Sequence, residues 1–286
     1  MKWIRFILIF SPLYAYNQTN SFRCIKDDFI FGQYLVNSGM YRDALVLFRS
    51  DPPDSCVYSD SILFLKGWSF YNLKQLDSAS VTFSKIGIRS PLFLKSSFYS
   101  AYCNTYLGKI SKAREVLNTL TSPDSVHNEL KLTELAGINL LQRDLIGYSD
   151  ISKSFSGKRY TLVENQKKLN EIYQEMKSFN PKSPWVAGLL SAGVPGLGKI
   201  YAGKYGSGVS AMITVSILGL VTWENYRKAG IDNPKTIVAG SLFSIAYLAN
   251  IYGSVYSIKS YRDEFYERMD YRILFHLHIP IRNTFN

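Results

Sequence analysis

An all-α fold is predicted: stacked helix pairs in a solenoid, then a two-helix transmembrane hairpin with a short re-entrant or interfacial helix. Three observations predict it. Small and bulky residues recur with a period of 34 to 36 positions through the first half of the chain. Two apolar runs, 206–223 and 236–258, contain no Lys, Arg, Asp or Glu. Each is about as long as a hydrocarbon core demands of a helix, about 17–25 residues. Between repeats and runs, residues 160–179 place apolar side chains at helical spacing.

The 286 residues give room for about two domains. The formal charge of +11 raises nucleic acid as a partner. The cations, however, are scattered and mixed with acids, and no basic stripe forms. Asp263, Glu264, Glu267 and Asp270 interrupt Lys259, Arg262, Arg268 and Arg272. A membrane protein with its cations at headgroup level fits better, and no nucleic-acid partner is expected. Cys24, Cys56 and Cys103 form no CxxC and have no His at ligand spacing, so neither a metal site nor a cofactor is expected. If the region is exported, Cys24–Cys56 is the favoured disulfide, with a buried free thiol an equal alternative for each of the three.

The start, 1–15, reads as a signal peptide. Met1-Lys2-Trp3-Ile4-Arg5 is basic, Phe6 to Phe10 is apolar, Ser11-Pro12 breaks the run, and Ala15 offers a small residue for cleavage. An uncleaved anchor is the alternative. Either way, the region that follows is expected outside the cytoplasm.

The repeats occupy 25–155. Gly32, Gly67, Ala101 and Gly137 occur in register, as do Ala44, Ala79 and Ala113, and Phe48, Phe83 and Leu117. A small residue lets two helices of a pair cross closely, and the bulky one fills the hole beside the crossing. The pattern Gly32…Gly39-Met40-Tyr41…Ala44…Phe48, Gly67…Leu76…Ala79…Phe83, Ala101…Gly108-Lys109-Ile110…Ala113…Leu117 resembles the tetratricopeptide repeat. A fourth unit departs from it, with Ser149 in place of the alanine and Lys153 in place of the aromatic. The resemblance implies a concave face that presents Phe29, Gln33 and Val36, then Phe64, Trp68 and Tyr71, then Phe98, Tyr102 and Thr105. So aromatic a face suits a protein partner, an apolar peptide or a helix. The alternative is that these rings pack on the chain's own neighbouring helix. The Lys, Asn and Arg with which one sub-type grips C-terminal carboxylates are largely missing here.

Residues 160–179 form one amphipathic helix, with Leu162, Leu169, Ile172, Tyr173 and Met176 on its apolar face. A capping helix for the repeats is favoured over a lever or a membrane-surface helix. The membrane module follows at 183–260. Its first helix, 185–193, is too short to cross a bilayer and is stopped by Pro195-Gly196-Leu197-Gly198. The order Pro184…Pro195-Gly196-Leu197-Gly198…Tyr201…Gly203…Gly208, followed by two apolar helices, resembles the bacterial TM2-type domain and its Bacteroidetes-associated relatives. Lys199 stands where that pattern has Gln. The resemblance implies a membrane-embedded module and no known chemistry.

Within the spans, Ser207 and Ala211, Gly240 and Ser244, and Ala249, Gly253 and Ser257 have small-xxx-small spacing, which suits a homo-oligomer or the hairpin itself. Asn250 is the one strongly polar group at depth, expected to seal the hairpin rather than line a polar path. Residues 261–286 begin charged, and the alternation from Ile273 to Ile281 predicts a short strand or extended segment. His276 and His278 at strand spacing lack a third ligand.

No phosphate loop, nucleophile elbow or metal cluster is legible, so no catalytic residue is assigned. The expectation is a non-enzymatic adaptor in the bacterial inner membrane. Its repeats lie in the periplasm and bind a protein, and its hairpin contacts the lipid bilayer. The alternative makes the hairpin the active part, as an accessory subunit of a channel, transporter or envelope-assembly complex.

Overall fold

The structure, a computed structural model, describes residues 26–53, 55–158 and 160–285. The expected signal peptide and Cys24 lie outside these. Among the described residues all regular structure is helical. The chain divides into two units, 1–121 and 122–286.

In the first unit six helices follow in pairs: α1 (Lys26–Asn37) with α2 (Tyr41–Leu47), α3 (Ser59–Asn72) with α4 (Leu76–Phe83), and α5 (Phe93–Tyr106) with α6 (Ile110–Thr119). The periodic small residues explain the close crossings. A Cβ added at Gly32 would strike the Phe48 ring, and one at Gly67 would lie 2.8 Å from Cδ1 of Phe83. Ala44, Ala79 and Ala113 are completely buried, as is Leu117.

Each pair turns through one left-handed residue: Gly39 (φ 74°), Lys74 (φ 61°) and Gly108 (φ 71°). Two backbone bonds close each turn. Lys74 N–H donates to the Tyr71 carbonyl at 3.0 Å and Gln75 N–H to the Phe70 carbonyl at 2.9 Å; equivalent bonds flank Gly39 and Gly108. These satisfy the carbonyls that a helix end leaves bare. Arg143 (φ 63°) ends a further helix in the second unit in the same way.

That second unit opens with α7 (Ser125–Leu141) and α8 (Leu145–Ser152), on which α9 (Tyr160–Ser178) packs through Leu162, Leu169, Ile172 and Met176. Then come α10 (Pro184–Gly193), α11 (Leu197–Tyr201), α12 (Tyr205–Ala229) and α13 (Pro234–Phe285). At about 1.5 Å per residue, the 25 residues of α12 span roughly 37 Å and the 52 of α13 roughly 78 Å. Both are long and apolar enough to cross a membrane. Only 17% and 11% of their most apolar stretches are buried, whereas the core helix of a soluble protein is mostly buried.

The strand expected from Ile273 to Ile281 is overturned, because this stretch is the last part of α13. The same residues satisfy two periods. Phe265, Met269, Ile273, Leu277 and Ile281 are four apart and all buried, so the helical stripe finds a core. The strand-like alternation depends on Phe275, which is exposed. Helical geometry also parts His276 from His278, about 200° round the axis. His276 Nδ1 instead pairs with Asn165 Oδ1 of α9 at 3.1 Å.

This end of α13 packs on α7 and α9. A Cβ added at Gly137 would lie 2.9 Å from Cδ1 of Leu277. The small residue of the fourth unit thus receives its bulky partner from α13, where Lys153 could not serve.

Candidate functional site

The positions expected to line a groove fall in three places in the first unit. On α1, Phe29 stacks on Tyr58 (centroids 4.9 Å), Gln33 is exposed and Val36 is buried. On α3, Phe64, Trp68 and Tyr71 form one ladder, with Trp68 6.2 Å from Phe64 and 5.4 Å from Tyr71. On α5, Phe98, Tyr102 and Thr105 are all buried, and the Thr105 hydroxyl donates to the Ala101 carbonyl at 2.9 Å. Tyr99, which the repeat pattern does not single out, meets the ladder edge-on at 5.1 Å from Trp68 and 5.4 Å from Tyr71. Its only sequence signal is that it is a further aromatic in an aromatic-rich helix.

Cys56 is disulfide-bonded, while burial pushes the thiol of free Cys103 up to about 12. At neutral pH Cys103 is a protonated, unreactive thiol.

The second site is a polar seam that joins α10 and α11 to α13. Every motif glycine here has a steric or conformational reason. Gly196 is left-handed (φ 88°), and a Cβ on it would strike the carbonyl oxygen of Gly208 in α12. In return, a Cβ on Gly208 would sit 2.8 Å from the Gly196 carbonyl oxygen and 3.1 Å from the Ile200 nitrogen. At Gly198 a Cβ would strike the Ala187 carbonyl and come within 2.6 Å of Ser191 Oγ. Gly203 has open space but a φ of 88°. The turn therefore touches its neighbours backbone to backbone, which only glycine permits.

A turn in apolar surroundings must have its amides satisfied. Gly196 N–H donates to Asn250 Oδ1 at 3.2 Å, and Gly198 N–H to Ser191 Oγ at 3.0 Å. The Ser254 hydroxyl donates to the Asn250 carbonyl at 2.8 Å, which leaves the Ser191 hydroxyl to donate to Ser254 Oγ at 2.6 Å. Asn250 Nδ2 reaches the Ser191 carbonyl at 3.5 Å, the outer limit of a bond. The Tyr247 hydroxyl donates to the Ala192 carbonyl. Asn250 is 3% exposed, and its side chain caps the turn.

Below the seam, Tyr201 packs with Ala187, Ala202 and Ile258. Lys182 Nζ donates to the Tyr201 carbonyl at 2.7 Å and lies 5.4 Å from the ring centres of Tyr201 and Tyr261. Lys204 Nζ reaches Ser260 Oγ at 2.9 Å and Glu264 Oε1 at 3.1 Å. Pro184 occupies the first turn of α10, where its missing N–H is harmless.

The distal half of α13 is fastened to α7–α9. Arg143 grips Asp270 with two bonds (2.5 and 2.7 Å) and lies 4.6 Å over the Tyr266 ring. Arg272 donates to Glu175 at 2.7 Å and holds that carboxyl below its usual range. Phe179 stacks on Phe265 at 3.8 Å. One buried acid sits outside this pattern. Glu134 is 1% exposed, neither oxygen has a hydrogen-bond partner among the described residues, and burial raises its pKa well above the ordinary value.

No family model matches the chain, and neither a curated protein nor a solved structure is significantly similar to it.

Proposed function

We propose that this chain is a non-enzymatic, membrane-anchored adaptor. A tetratricopeptide-like solenoid holds a protein partner beside a two-helix hairpin lodged in the bilayer. The observation that carries the proposal is α13 itself. Its first half bears an outward-facing apolar surface that includes Val238, Leu242, Ile245 and Leu248. Its second half is fastened to α7 and α9 by Arg143–Asp270 and Arg272–Glu175. A single uninterrupted helix that is lipid-facing at one end and protein-facing at the other transmits position, and needs no chemistry to do so.

The polar seam supports the anchor over the channel alternative. Asn250, the one amide at depth, caps the α10–α11 turn. On this reading α10 and α11 form a short re-entrant or interfacial element resembling the TM2-type pattern. Its length suits that role, since ten residues rise only about 15 Å. The disulfide at Cys56 agrees with an exported first unit, because disulfides persist in oxidising compartments. On this reading the anchor lies in a bacterial inner membrane with the repeats on the periplasmic side.

Two experiments separate the parts. Alkaline carbonate extraction should leave the chain in the membrane pellet, and release into the supernatant would contradict the anchor. A photo-crosslinker at exposed Gln33 or at Trp68 should form a discrete protein adduct in native membranes. Absence of an adduct at both positions would remove the adaptor reading and leave the anchor standing.

A further inference from the structure

A cavity of about 600 Å³ opens where the apolar run of α13 ends. One wall is the segment that enters α10, including Lys182. The other is α13, with Tyr252, Val255 and Tyr256 at the level of the run and Lys259 and Arg262 one turn further on. No carboxylate lines it among the described residues.

The three cations differ in how they are held. The Tyr201 carbonyl takes one of the three N–H donors of Lys182 and two rings flank its ammonium, but no carboxylate pairs with it among the described residues. Lys259 makes no ion pair among the described residues. Among the described residues Arg262 pairs only with Asp263, whose Oδ1 lies 4.0 Å from Nε. Three positive groups around one cleft repel each other, and an anion would relieve that repulsion. The same cleft offers exposed tyrosine rings and a valine, surfaces that match an acyl chain rather than water.

We propose that this cavity binds a phospholipid of net negative headgroup, its phosphate among Lys182, Lys259 and Arg262 and an acyl chain along Tyr252 and Val255. The proposal rests on the membrane reading above, because it sets this level of α13 at the headgroups. Zwitterionic lipids carry the same phosphate, but their choline or ethanolamine brings a cation into a cationic cleft. Discrimination therefore comes from net charge, at about fivefold in affinity for each basic residue near the surface.

The test is native mass spectrometry of the full chain released from detergent micelles, titrated with phosphatidylglycerol or with phosphatidylcholine of the same acyl chains. Wild type should retain phosphatidylglycerol at least tenfold better. The exposed pair Lys259→Gln and Arg262→Gln together should lower that retention by about tenfold or more, with phosphatidylcholine unchanged. Equal retention of the two lipids would overturn the proposal, as would a double variant that behaves like wild type. Inorganic phosphate that displaces the lipid at millimolar concentration would overturn the lipid assignment in favour of a free-anion site. Flotation with phosphatidylcholine vesicles distinguishes the two failures. A chain that floats without preferring phosphatidylglycerol loses only this proposal, and a chain that does not float loses the membrane reading with it.

Discussion

Lys74 and Arg143 sit at equivalent left-handed turns for different reasons. A non-glycine residue in that conformation costs about 1 kcal/mol. Arg143 compensates by gripping Asp270 across to α13. Among the described residues the Lys74 ammonium has no ion pair and only a distant contact with the Tyr71 ring, 6.0 Å from its centre. Lys74→Gly is therefore expected to stabilise the protein by about 0.5–1 kcal/mol, read as a higher midpoint in chemical denaturation. The turn lies in register with Gly39 and Gly108, 35 and 34 positions away, yet no small residue marks it in the sequence. The lysine hid it, because propensity alone does not place a lysine at positive φ.

Glu134 makes the clearest pH prediction at this scale. Its folded pKa is raised above the ordinary 4.5, so the folded state holds the proton more tightly than the unfolded one. Stability is then unaffected by this group below about 4.5. It falls as pH rises through the window between the unfolded and folded values. Glu134→Gln removes that loss. The melting temperature should rise at pH 7 and change little at pH 4; an equal gain at both would show that ionisation is not the cause.

At the scale of elements, the α10–α11 turn and the end of α13 are the informative cases. Gly208→Ala places a methyl against the Gly196 carbonyl and the Ile200 nitrogen, both backbone atoms that cannot swing aside. A loss of about 1–3 kcal/mol is expected from thermal melts in detergent. Gly206→Ala, with open space around it, should leave stability equal or slightly higher. The glycine and proline spacing foretold a stopped helix and a sharp turn. The bonding of that turn to Asn250, and of Ser191 to Ser254, was not legible, since nothing local relates Gly196 to a residue 54 positions on.

The final stretch of α13 shows the opposite failure. Its alternation was a true feature of the sequence, yet a short apolar run fits both periods and tertiary packing decides between them. Leu277 settles the matter by filling the space over Gly137. Leu277→Ala should cost about 2–4 kcal/mol, visible as earlier unfolding of α13 in hydrogen exchange.

At the scale of the whole molecule, the decisive feature is the exposed apolar surface of α12 and α13. Their apolar runs could be read directly, because a stretch of that length without charge has few other uses. Less could be read of α13's continuity. Charged residues after Ile258 suggested a separate tail, whereas the helix runs on unbroken to Phe285. The aromatic positions on α3 were legible as a set. Their engagement with Tyr99 of α5 was not, since ring geometry depends on how the pairs stack.

Nitroxide labels along α13 test this most directly. Reconstituted in vesicles, labels at Val238, Leu242, Ile245 and Leu248 should relax with dissolved oxygen and ignore a water-soluble nickel chelate. A label at exposed Tyr271 should do the reverse. Relaxation by nickel at all five positions would contradict a membrane-embedded first half of α13.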